Sequence, residues 1–477
     1  MLQTKDFKLQ VSSEIGALRQ ILVHSPDKGL GKVTPSKAQD WLFEDIVHLE
    51  TIRSKEYDLY TKILLHFLDP AVIQNLGDKN STRDFYKPGK PGFHNSEKVI
   101  ELETLLIDIL EDLPVRQQLV AAVCATENCT YQQQQQLLGL TSAQLAVLLV
   151  SGTLPDGNIF FAPIPNLIFT RDLGTVINNY VLLNKPARKA RTREALLTKY
   201  IFFNHPIFKN YRQNIIEVPQ SDQQFLIPEG EIDTQNTLEG GDVMMISKNH
   251  LLIGCGERTT LQAASAVIKI LFEKNVVQKV TIIKIPHKRD FMHLDTVFTQ
   301  VKKNVWVLLS SLFNAEKNAK TPEPIDYLIE TKKPDQPEII QFEKDKINNP
   351  RKINKLEILL DEISQQELNS TEPTQFIYSG NNVFPYDSRE QWTDSCNLLA
   401  LKEGVVLGYD RNDKTLASFK AHGFTIIKAA DLLAKFENNE LTPSEISNTV
   451  ITFPSAELSR ARGGFHCMSM PLLRDEF

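Results

Sequence analysis

The chain has 477 residues, of which 42% are hydrophobic and 23% are charged. This length and balance allow a full hydrophobic core, built as one large domain with insertions or as two to three domains. The formal net charge of -6 argues against nucleic acid as the main partner, because nucleic-acid binding relies on clustered basic residues.

The five cysteines predict neither a disulfide framework nor a zinc site, because their number is odd and they form no CxxC pair. Residues Met1–Asp6 include no apolar run, so we expect no signal peptide. The most apolar stretch, Leu137–Leu154, is interrupted by polar residues and is typical of a core helix rather than a membrane span. We therefore expect a cytoplasmic protein with reduced thiols and no membrane partner.

The first predicted element is a buried strand within Ala17–His24, ended by a Ser-Pro turn. Residues 1–60 are predicted to begin an α/β domain, and residues 61–150 to form a helical insertion. Within that insertion, Val99–Leu110 has helical apolar spacing, and Ala143–Val150 follows a plausible N-cap.

Residues 151–477 are predicted to complete the catalytic domain with short β-branched strands bounded by turn residues. The predicted strands are Asn158–Phe169, Thr175–Leu183, Val243–Cys255, Lys279–Ile285, Val305–Leu309, Gln375–Tyr378, Gly404–Gly408, Thr425–Lys428 and Thr449–Phe453. Asn314–Thr374 is rich in Lys, Glu and Pro and poor in aromatic residues, so we interpret it as a charged surface insertion, flexible in part. Strands interleaved with helices predict an α/β or α+β enzyme.

Four polar clusters stand at predicted strand ends or beside glycine and turn residues. They are Phe169–Asp172, Leu238–Asp242, Met292–Thr296 and Arg462–Cys467. The last cluster has the features of a nucleophile loop, because Gly463 and Gly464 permit close ligand approach and a neighbouring cation favours the Cys467 thiolate. A buried structural cysteine beside a glycine turn fits the same residues.

The two middle clusters carry a histidine and several carboxylates. His293 and Asp295, two residues apart, would lie on the same side of a strand. They fit a general acid/base with a tuned pKa, two metal ligands, or a core histidine with its hydrogen bonds satisfied. Glu239 and Asp242 flank two glycines, which also fits a turn with solvated acids.

Together and in this order, the four clusters resemble the arginine deiminases of the guanidino-group-modifying superfamily. Further similarity is found at Arg19–Pro26, Pro186–Arg188, Gly256–Thr260, Arg389–Trp392 and Tyr409–Asn412. The resemblance covers nearly the whole chain apart from Asn314–Thr374. It implies an α/β fold of the pentein type, a five-bladed α/β propeller with a helical insertion, and a homodimer or homotetramer.

The resemblance also implies a reaction and its residues. It places the nucleophile on Cys467, the acid/base on His293, its supporting acid on Glu239, and the guanidinium-binding carboxylates on Asp172 and Asp295. Guanidinium is planar and keeps its charge, so burying it requires carboxylates in bidentate geometry. The implied reaction hydrolyses free L-arginine with water to citrulline and ammonia through a covalent thiouronium, without cofactor or metal.

Substrate selectivity is implied to rest on residues that bind an α-carboxylate. Arg188 and Arg258 match the family's carboxylate-binding arginines, with Asn166 nearby, and Arg462 matches its mobile gating arginine. Phe169, Asp242 and His466, which belong to the same clusters, are expected to contribute to substrate binding. The chain departs from the family pattern at Ala461 and Phe465, which we expect to stiffen the nucleophile loop and add bulk to it.

Three alternatives remain at this point. The first alternative is another guanidino-modifying enzyme, such as a methylarginine hydrolase, an agmatine deiminase or an amidinotransferase. The second is a metal-dependent hydrolase that uses His293, Asp295 and Glu239. The third is a non-catalytic propeller used for binding, which the complete set of reactive residues argues against.

Overall fold

The structure is a computed structural model that describes residues 7–41, 43–75, 86–90, 92–220, 236–313 and 338–477. The first part of the predicted surface insertion, residues 314–337, lies outside the described residues. So do residues 1–6, 42, 76–85, 91 and 221–235. Across the described ranges, no helix is both long and apolar enough to cross a bilayer.

The fold is mixed α/β. In chain order its strands are β1 (Leu18–Val23), β2 (Val99–Glu101), β3 (Gly174–Ile177), β4 (Tyr180–Leu183), β5 (Ile215–Glu217), β6 (Val243–Ser247), β7 (His250–Cys255), β8 (Lys279–Lys284), β9 (Phe298–Lys302), β10 (Val305–Leu308), β11 (Glu338–Glu343), β12 (Arg351–Ile353), β13 (Gln375–Tyr378), β14 (Leu399–Lys402), β15 (Val405–Tyr409), β16 (Thr425–Lys428), β17 (Thr449–Phe453) and β18 (Met470–Arg474).

The helices account for most of the remaining regular structure. They are α1 (Leu49–Thr51), α2 (Asp58–Leu68), α3 (Pro70–Asn75), α4 (Leu102–Leu110), α5 (Leu113–Thr126), α6 (Tyr131–Leu138), α7 (Ser142–Ser151), α8 (Thr192–Asn204), α9 (Leu261–Glu273), α10 (Ser310–Phe313), α11 (Leu356–Glu362), α12 (Tyr386–Trp392), α13 (Asp413–Ala421) and α14 (Ala429–Glu437). A π-helical stretch, Ile52–Tyr57, joins α1 to α2.

The described strands form five sheets that repeat one unit. The spatial orders are β18-β1-β2, β3-β4-β5, β6-β7-β8-β11-β12, β9-β10-β13 and β14-β15-β17-β16. In each sheet an antiparallel pair is extended by a strand that runs parallel to the second member of the pair. A parallel partner requires a crossover connection, which helices such as α8, α9 and α13 supply.

The predicted helical block shares a core with the sheets instead of standing apart. Leu106 on α4 and Leu149 on α7 belong to the same buried hydrophobic cluster as Leu197 on α8 and Val181 on β4. Thr130 and Thr141 each form a capping box at the start of α6 and α7, which explains why those helices begin there.

Four elements differ from the sequence prediction. Thr175–Leu183 and Val243–Cys255 were each predicted as one strand, but they form the antiparallel pairs β3–β4 and β6–β7. Val99–Leu110 was predicted as helix, but its first residues form β2, because Val99 and Ile100 pair with Ile21 and Leu22 in a parallel ladder. Asn158–Phe169 was predicted as a strand, but it contains a 3-10 turn at Pro165–Ile168. A proline has no backbone N–H to donate to a strand ladder, and this range contains two.

The described part of the predicted insertion, residues 338–374, is integrated into the third sheet. Strand β11 runs antiparallel to β8, and β12 pairs with β11. The apolar side of α11 is buried through Leu356, Leu359 and Leu360. The charged residues of this range therefore lie on the outer side of elements whose apolar side contributes to the core.

Candidate active site

The four polar clusters selected from the sequence lie on or beside turns that immediately precede the first strand of a sheet, here called leading turns. The leading turns of β3, β6 and β9 are 3-10 turns at Thr170–Leu173, Gly240–Asp242 and Leu294–Thr296. The fourth, residues 394–397, precedes β14, and the fifth, residues 462–469, precedes β18. Because the five sheets repeat one unit, these turns occupy equivalent positions, and the contacts below show that they meet.

Cys467 is buried where three leading turns touch. Its thiol lies 3.6 Å from Asp295 Oδ2. Asn397 Nδ2 donates to the sulfur at 3.1 Å, and Asn397 Oδ1 accepts the Cys467 backbone N–H at 3.1 Å. Burial raises the pKa of the thiol well above its ordinary value, and the negative charges of Asp295 and Asp172 raise it further. In the free protein Cys467 is therefore a neutral thiol at pH 7.

His293 lies between two carboxylates. Its Nε2 is 2.8 Å from Glu239 Oε2, and its Nδ1 is 3.7 Å from Asp172 Oδ1. Burial disfavours the charged ring, but Asp172 and the hydrogen bond with Glu239 outweigh that effect and raise the pKa of His293 to about 10. A Cβ on Gly241 would lie 2.6 Å from His293 Nδ1, so a larger residue at that position would displace the imidazole.

Asp172 and Asp295 each have one oxygen held by a protein cation or histidine and one oxygen open. Asp172 Oδ2 accepts from Arg191 Nη1 at 2.6 Å, and Asp295 Oδ2 lies 2.8 Å from His466 Nδ1. The other oxygen of each, Oδ1, is buried and accepts no hydrogen bond within the described part of the chain. Asp172 Oδ1 has only its 3.7 Å ion-pair contact with His293 Nδ1. A buried carboxylate oxygen without a hydrogen bond is costly unless a donor fills the position. The pair therefore fits a cation that carries several N–H groups.

A second buried network supports Asp295 from behind. Glu14 Oε2 is 3.2 Å from His466 Nε2, and Glu14 Oε1 accepts from Arg171 Nη2 at 2.6 Å. Arg171 also donates to the Val243 carbonyl at 2.8 Å. Burial opposes the charge on Glu14, but Arg171 and His466 overcome it and hold the pKa of Glu14 well below its ordinary value.

The predicted substrate-binding residues fall into an inner and an outer group. Arg258 is buried, with Nη1 3.8 Å from Glu239 Oε2. Asp242 is also buried; its Oδ1 accepts the Leu294 N–H at 2.8 Å, and burial raises its pKa to about 7 despite the nearby His293. Arg188 is half-exposed and donates to Glu257 Oε1 at 2.8 Å, so it does not contact the carboxylates around the thiol.

Three more of these residues, Asn166, Phe169 and Arg462, are buried. Asn166 is buried and donates to the Trp41 carbonyl. The Phe169 ring lies against Gly463, where a Cβ would come within 2.3 Å of it. Arg462 stacks on Trp392 with 3.5 Å between the guanidinium carbon and the ring centroid, and its backbone is left-handed with φ 64°.

Ala461 and Phe465, the two residues that depart from the family pattern, are both buried in or beside the nucleophile loop. Phe465 packs among aromatic rings, with centroid distances of 5.1 Å to Tyr60, 5.1 Å to Tyr409 and 4.5 Å to Phe453. Ala461 is buried immediately before Arg462. The bulk of Phe465 thus fills an aromatic cluster beneath the loop.

Asp172, Glu239 and His293 also form a group that could hold a metal ion, since their donor atoms lie within 4.8 Å of one another. Protein cations already serve this group. Arg191 Nη1 lies 2.6 Å from Asp172 and 3.8 Å from Glu239, and Arg258 lies 3.8 Å from Glu239. The arginines and the protonated His293 supply the positive charge that a metal would bring.

Sequence reasoning missed three residues of this site: Asn397, Glu14 and Arg191. Asn397 precedes β14 as Asp295 precedes β9, but neither strand is among those predicted from the sequence, so this position gave no signal. Glu14 lies in an N-terminal segment without a motif, and Arg191 lies between other basic residues, so neither stands out in the sequence.

Fold and site together define a mixed α/β protein with a buried thiol, a histidine–glutamate pair and two carboxylates open to a cation. The family model for arginine deiminase matches residues 138–474. The chain belongs to the arginine deiminase family, and it is therefore a hydrolase that acts on a C–N bond of a linear amidine.

Similar proteins cover the whole chain. An arginine deiminase of Bacillus cytotoxicus is 29% identical over 491 aligned residues, which cover 98% of this chain and 99% of the relative. An arginine deiminase of Staphylococcus aureus is 28% identical over 494 aligned residues, covering 99% of each chain.

Solved structures show weaker similarity. An amidinotransferase of Microseira wollei from saxitoxin biosynthesis has a TM-score of 0.43 and 13% identity, covering 98% of each chain. The N-terminal domain of ArgZ, an arginine dihydrolase from cyanobacteria, has a TM-score of 0.38 and 16% identity, covering 65% of this chain and 76% of that one.

Proposed function

We propose that the protein hydrolyses free L-arginine to citrulline and ammonia, with Cys467 as the nucleophile and His293 as the acid and base. The observation that carries the proposal is the pair of open oxygens on Asp172 and Asp295 beside a buried thiol. A guanidinium group has five N–H donors in one plane, which is what two separated carboxylate oxygens would accept.

Substrate binding would prepare the nucleophile. The negative charges of Asp295 and Asp172 hold the Cys467 proton in the free protein. A bound guanidinium neutralises both carboxylates, so the thiol proton is released to solvent more easily once the substrate is in place. The site would therefore form its thiolate in the presence of the cation that the thiolate attacks.

The reaction would then proceed in two halves. The Cys467 sulfur forms a bond to the central guanidinium carbon, and protonated His293 gives its proton to one terminal nitrogen. The C–N bond breaks, ammonia leaves, and a covalent thiouronium remains. Neutral His293 next takes a proton from water, and the hydroxide adds to the same carbon. The hydroxyl proton is lost as the C–S bond breaks, which yields citrulline and the Cys467 thiolate.

Glu239 would keep His293 charged for the first half. Burial works against the negative charge of Glu239, but Arg258 and His293 outweigh it and hold its pKa well below the ordinary value. Glu239 consequently stays ionised while the ring changes its proton, as an orienting acid must.

Selectivity for a free amino acid would come from Arg188, Arg258 and Asn166 as the α-carboxylate clamp, with Arg462 as the gate. Arg188 is engaged by Glu257 in the free protein, so the substrate carboxylate would replace Glu257 there. Phe169 and His466 would complete the walls around the guanidinium, and Asp242 would hold the turn that carries His293 and Asp295 through its bond to Leu294.

We also propose that the five sheets are the blades of a five-bladed pentein propeller. The repeated strand unit and the closure of the first sheet by β18 and β1 support this arrangement. On this proposal residues 1–60 begin the propeller, residues 61–150 carry the helical insertion, and residues 151–477 complete it. By resemblance to the family, the assembly would be a homodimer or homotetramer.

The test is citrulline and ammonia release from L-arginine by the wild type and by Cys467→Ala, with agmatine and dimethylarginine as parallel substrates. Equimolar citrulline and ammonia from arginine alone, absent in the variant, is the expected result. Turnover of another guanidine without arginine would overturn the clamp but keep the cysteine chemistry. Inactivity on all three would overturn the proposal.

A further inference from the structure

We propose that Asn397 is a positioning residue for the nucleophile: its Nδ2 donates to the Cys467 sulfur while its Oδ1 accepts the Cys467 backbone N–H. This inference rests on the proposed function, because it concerns the same thiolate. Asn397 is absent from the four motifs that led to the site, and it lies 70 residues before Cys467 in the chain.

The geometry fixes the side chain of Asn397 at both ends. Its two bonds to Cys467 are each 3.1 Å long. Nδ2 also donates to the Asp295 carbonyl at 3.3 Å, and the amide is nearly fully buried. A single side chain thus connects the leading turn of the nucleophile with the leading turn of a guanidinium-binding carboxylate. These contacts leave it one orientation, with the N–H group toward the sulfur.

The nucleophile loop is shaped to admit this contact. A Cβ on Gly464 would lie 2.6 Å from the Asn397 carbonyl oxygen and 2.7 Å from its Oδ1. Glycine at 464 therefore allows the loop to approach Asn397 closely.

The electrostatic surroundings give this N–H a function beyond packing. Burial and the charges of Asp295, Asp172 and Asp394 all raise the pKa of the thiol, and Tyr409 also lies within its electrostatic reach. The hydrogen bond from Asn397 acts in the opposite direction. A donor at the sulfur favours the charged form, so Asn397 would stabilise the thiolate both before attack and when the C–S bond breaks.

The test compares Asn397→Asp and Asn397→Ala with the wild type. Asn397→Asp keeps the shape and the acceptor for the Cys467 N–H, but replaces the donor with a negative oxygen. Asn397→Ala removes the donor without adding charge. Asn178→Asp is the matched control, because Asn178 is also buried and donates to two carbonyls, those of Lys248 and Val276.

Two readouts separate positioning from structure. The first is the pH profile of Cys467 alkylation by iodoacetamide, measured on the Cys467 peptide by mass spectrometry without substrate. The second is kcat for citrulline formation. At a fixed pH we expect Cys467 in both Asn397 variants to be alkylated at least about tenfold more slowly than in the wild type. The pH profile of alkylation should move to higher pH, most strongly in Asn397→Asp. We expect kcat to fall about 10- to 100-fold, in line with loss of a hydrogen bond to a charged group.

An unchanged alkylation profile in both variants would overturn the proposal, even if their stability fell. A similar shift in Asn178→Asp would also overturn it, because the effect would then be general. If Asn397→Asp does not fold, Asn397→Ala decides alone. If the wild type releases no citrulline, the proposed function fails, while the substrate-free alkylation result still decides the role of Asn397.

Discussion

The two carboxylates beside Cys467 illustrate how single residues are prepared for a ligand. In Asp172 and Asp295 one oxygen is fixed, by Arg191 and His466 respectively, and the other is buried without a hydrogen bond. The fixed oxygen sets the rotation of the group, so the open oxygen is held in place before a substrate arrives. Such preorganisation avoids reorientation when the cation binds.

Asp295→Asn should have opposite effects on arginine turnover and on the reactivity of Cys467 in the free protein. Arginine turnover, as kcat/KM, should fall by about 2–5 kcal/mol of transition-state free energy, because a buried charge pair loses one partner. Alkylation of Cys467 in the free protein should instead become faster at a fixed pH, since the charge of Asp295 raises the pKa of the thiol. Steady-state kinetics and the alkylation rate measure the two effects. Asp387→Asn, another buried aspartate, should change neither; slower alkylation in Asp295→Asn would contradict the argument.

Glu239→Gln should move the basic limb of the pH–rate profile. In the free protein the pKa of His293 is about 10, so the proton that the leaving nitrogen needs is present at neutral pH and is lost only as the pH passes about 10. Glutamine removes the charge and the acceptor that favour the imidazolium. The fall in kcat/KM should therefore begin at a lower pH in the variant. Glu194→Gln is the control, because Glu194 is also an ion-pair partner of Arg191. If the basic limb of the pH–rate profile did not move in Glu239→Gln, Glu239 would not be the acid that keeps His293 charged.

The sequence motifs contain Cys467, His293 and Glu239, which the structure brings together, but not the residues that support them. Neighbouring glycines draw attention to Glu239 and Cys467, and the two-residue spacing from Asp295 draws attention to His293. Glu14 and Asn397 belong to the same network, but they reach it across 452 and 70 residues of chain respectively. Contacts over such separations depend on how the sheets are assembled, which local patterns do not encode.

At the scale of elements, the hydrophobic patterns located most of the central strands, such as β8, β13 and β17. Two of the errors occur where tertiary pairing outweighs local preference. Val99–Glu101 continues directly into the helical spacing of α4, and only its parallel pairing with β1 makes it a strand. Strand β11 was assigned to an insertion because of its charges, yet it pairs along its whole length with β8.

The junction of β1 and β2 offers a stability prediction at this scale. His24 follows β1, and its Nδ1 lies 2.9 Å from Glu101 at the end of β2, while its Nε2 lies 3.2 Å from Asp27. Burial disfavours the charged ring, but the bonds with Asp27 and Glu101 outweigh it and raise the pKa of His24 to about 10 from 6.5. A raised pKa adds stability that is complete below pH 6.5 and is lost as the pH rises toward 10.

His24→Gln should therefore be destabilised by about 3–5 kcal/mol near pH 6, because a buried ion pair loses one partner. The difference in the free energy of unfolding between the variant and the wild type should narrow between pH 6.5 and 10. Urea unfolding across this range measures that difference. His422→Gln, which removes a histidine that contacts the Ser418 carbonyl, should show no such trend. A gap for His24→Gln that stayed constant or widened with pH would rule out the charged pair.

The whole molecule is closed by its two ends. Strand β1 from the N-terminal region pairs with β18 from the C-terminal region and with β2. The same closure brings Glu14 to His466, and Arg171 from the second sheet completes that contact. The pairing of the two ends and the contact behind Asp295 therefore lie next to each other. The recurring unit of the sheets was expected from the family resemblance alone.

Glu14→Gln tests this coupling, since it changes one atom at the point of closure. The pKa of Glu14 is held well below its ordinary value of 4.5 because Arg171 and His466 outweigh burial. Its stabilising contribution is thus present above pH 4.5 and is lost as the pH falls below that value. The variant should be about 3–5 kcal/mol less stable than the wild type at pH 7. This difference in stability should be smaller below pH 4.5. We also expect kcat to fall, because His466 no longer holds Asp295 as firmly.

Glu56→Gln is the control. It removes a buried carboxylate that accepts the Glu457 and Leu458 N–H groups, so it should lower stability without lowering kcat. Equal kcat in Glu14→Gln and the wild type would show that closure stabilises the fold without organising the site.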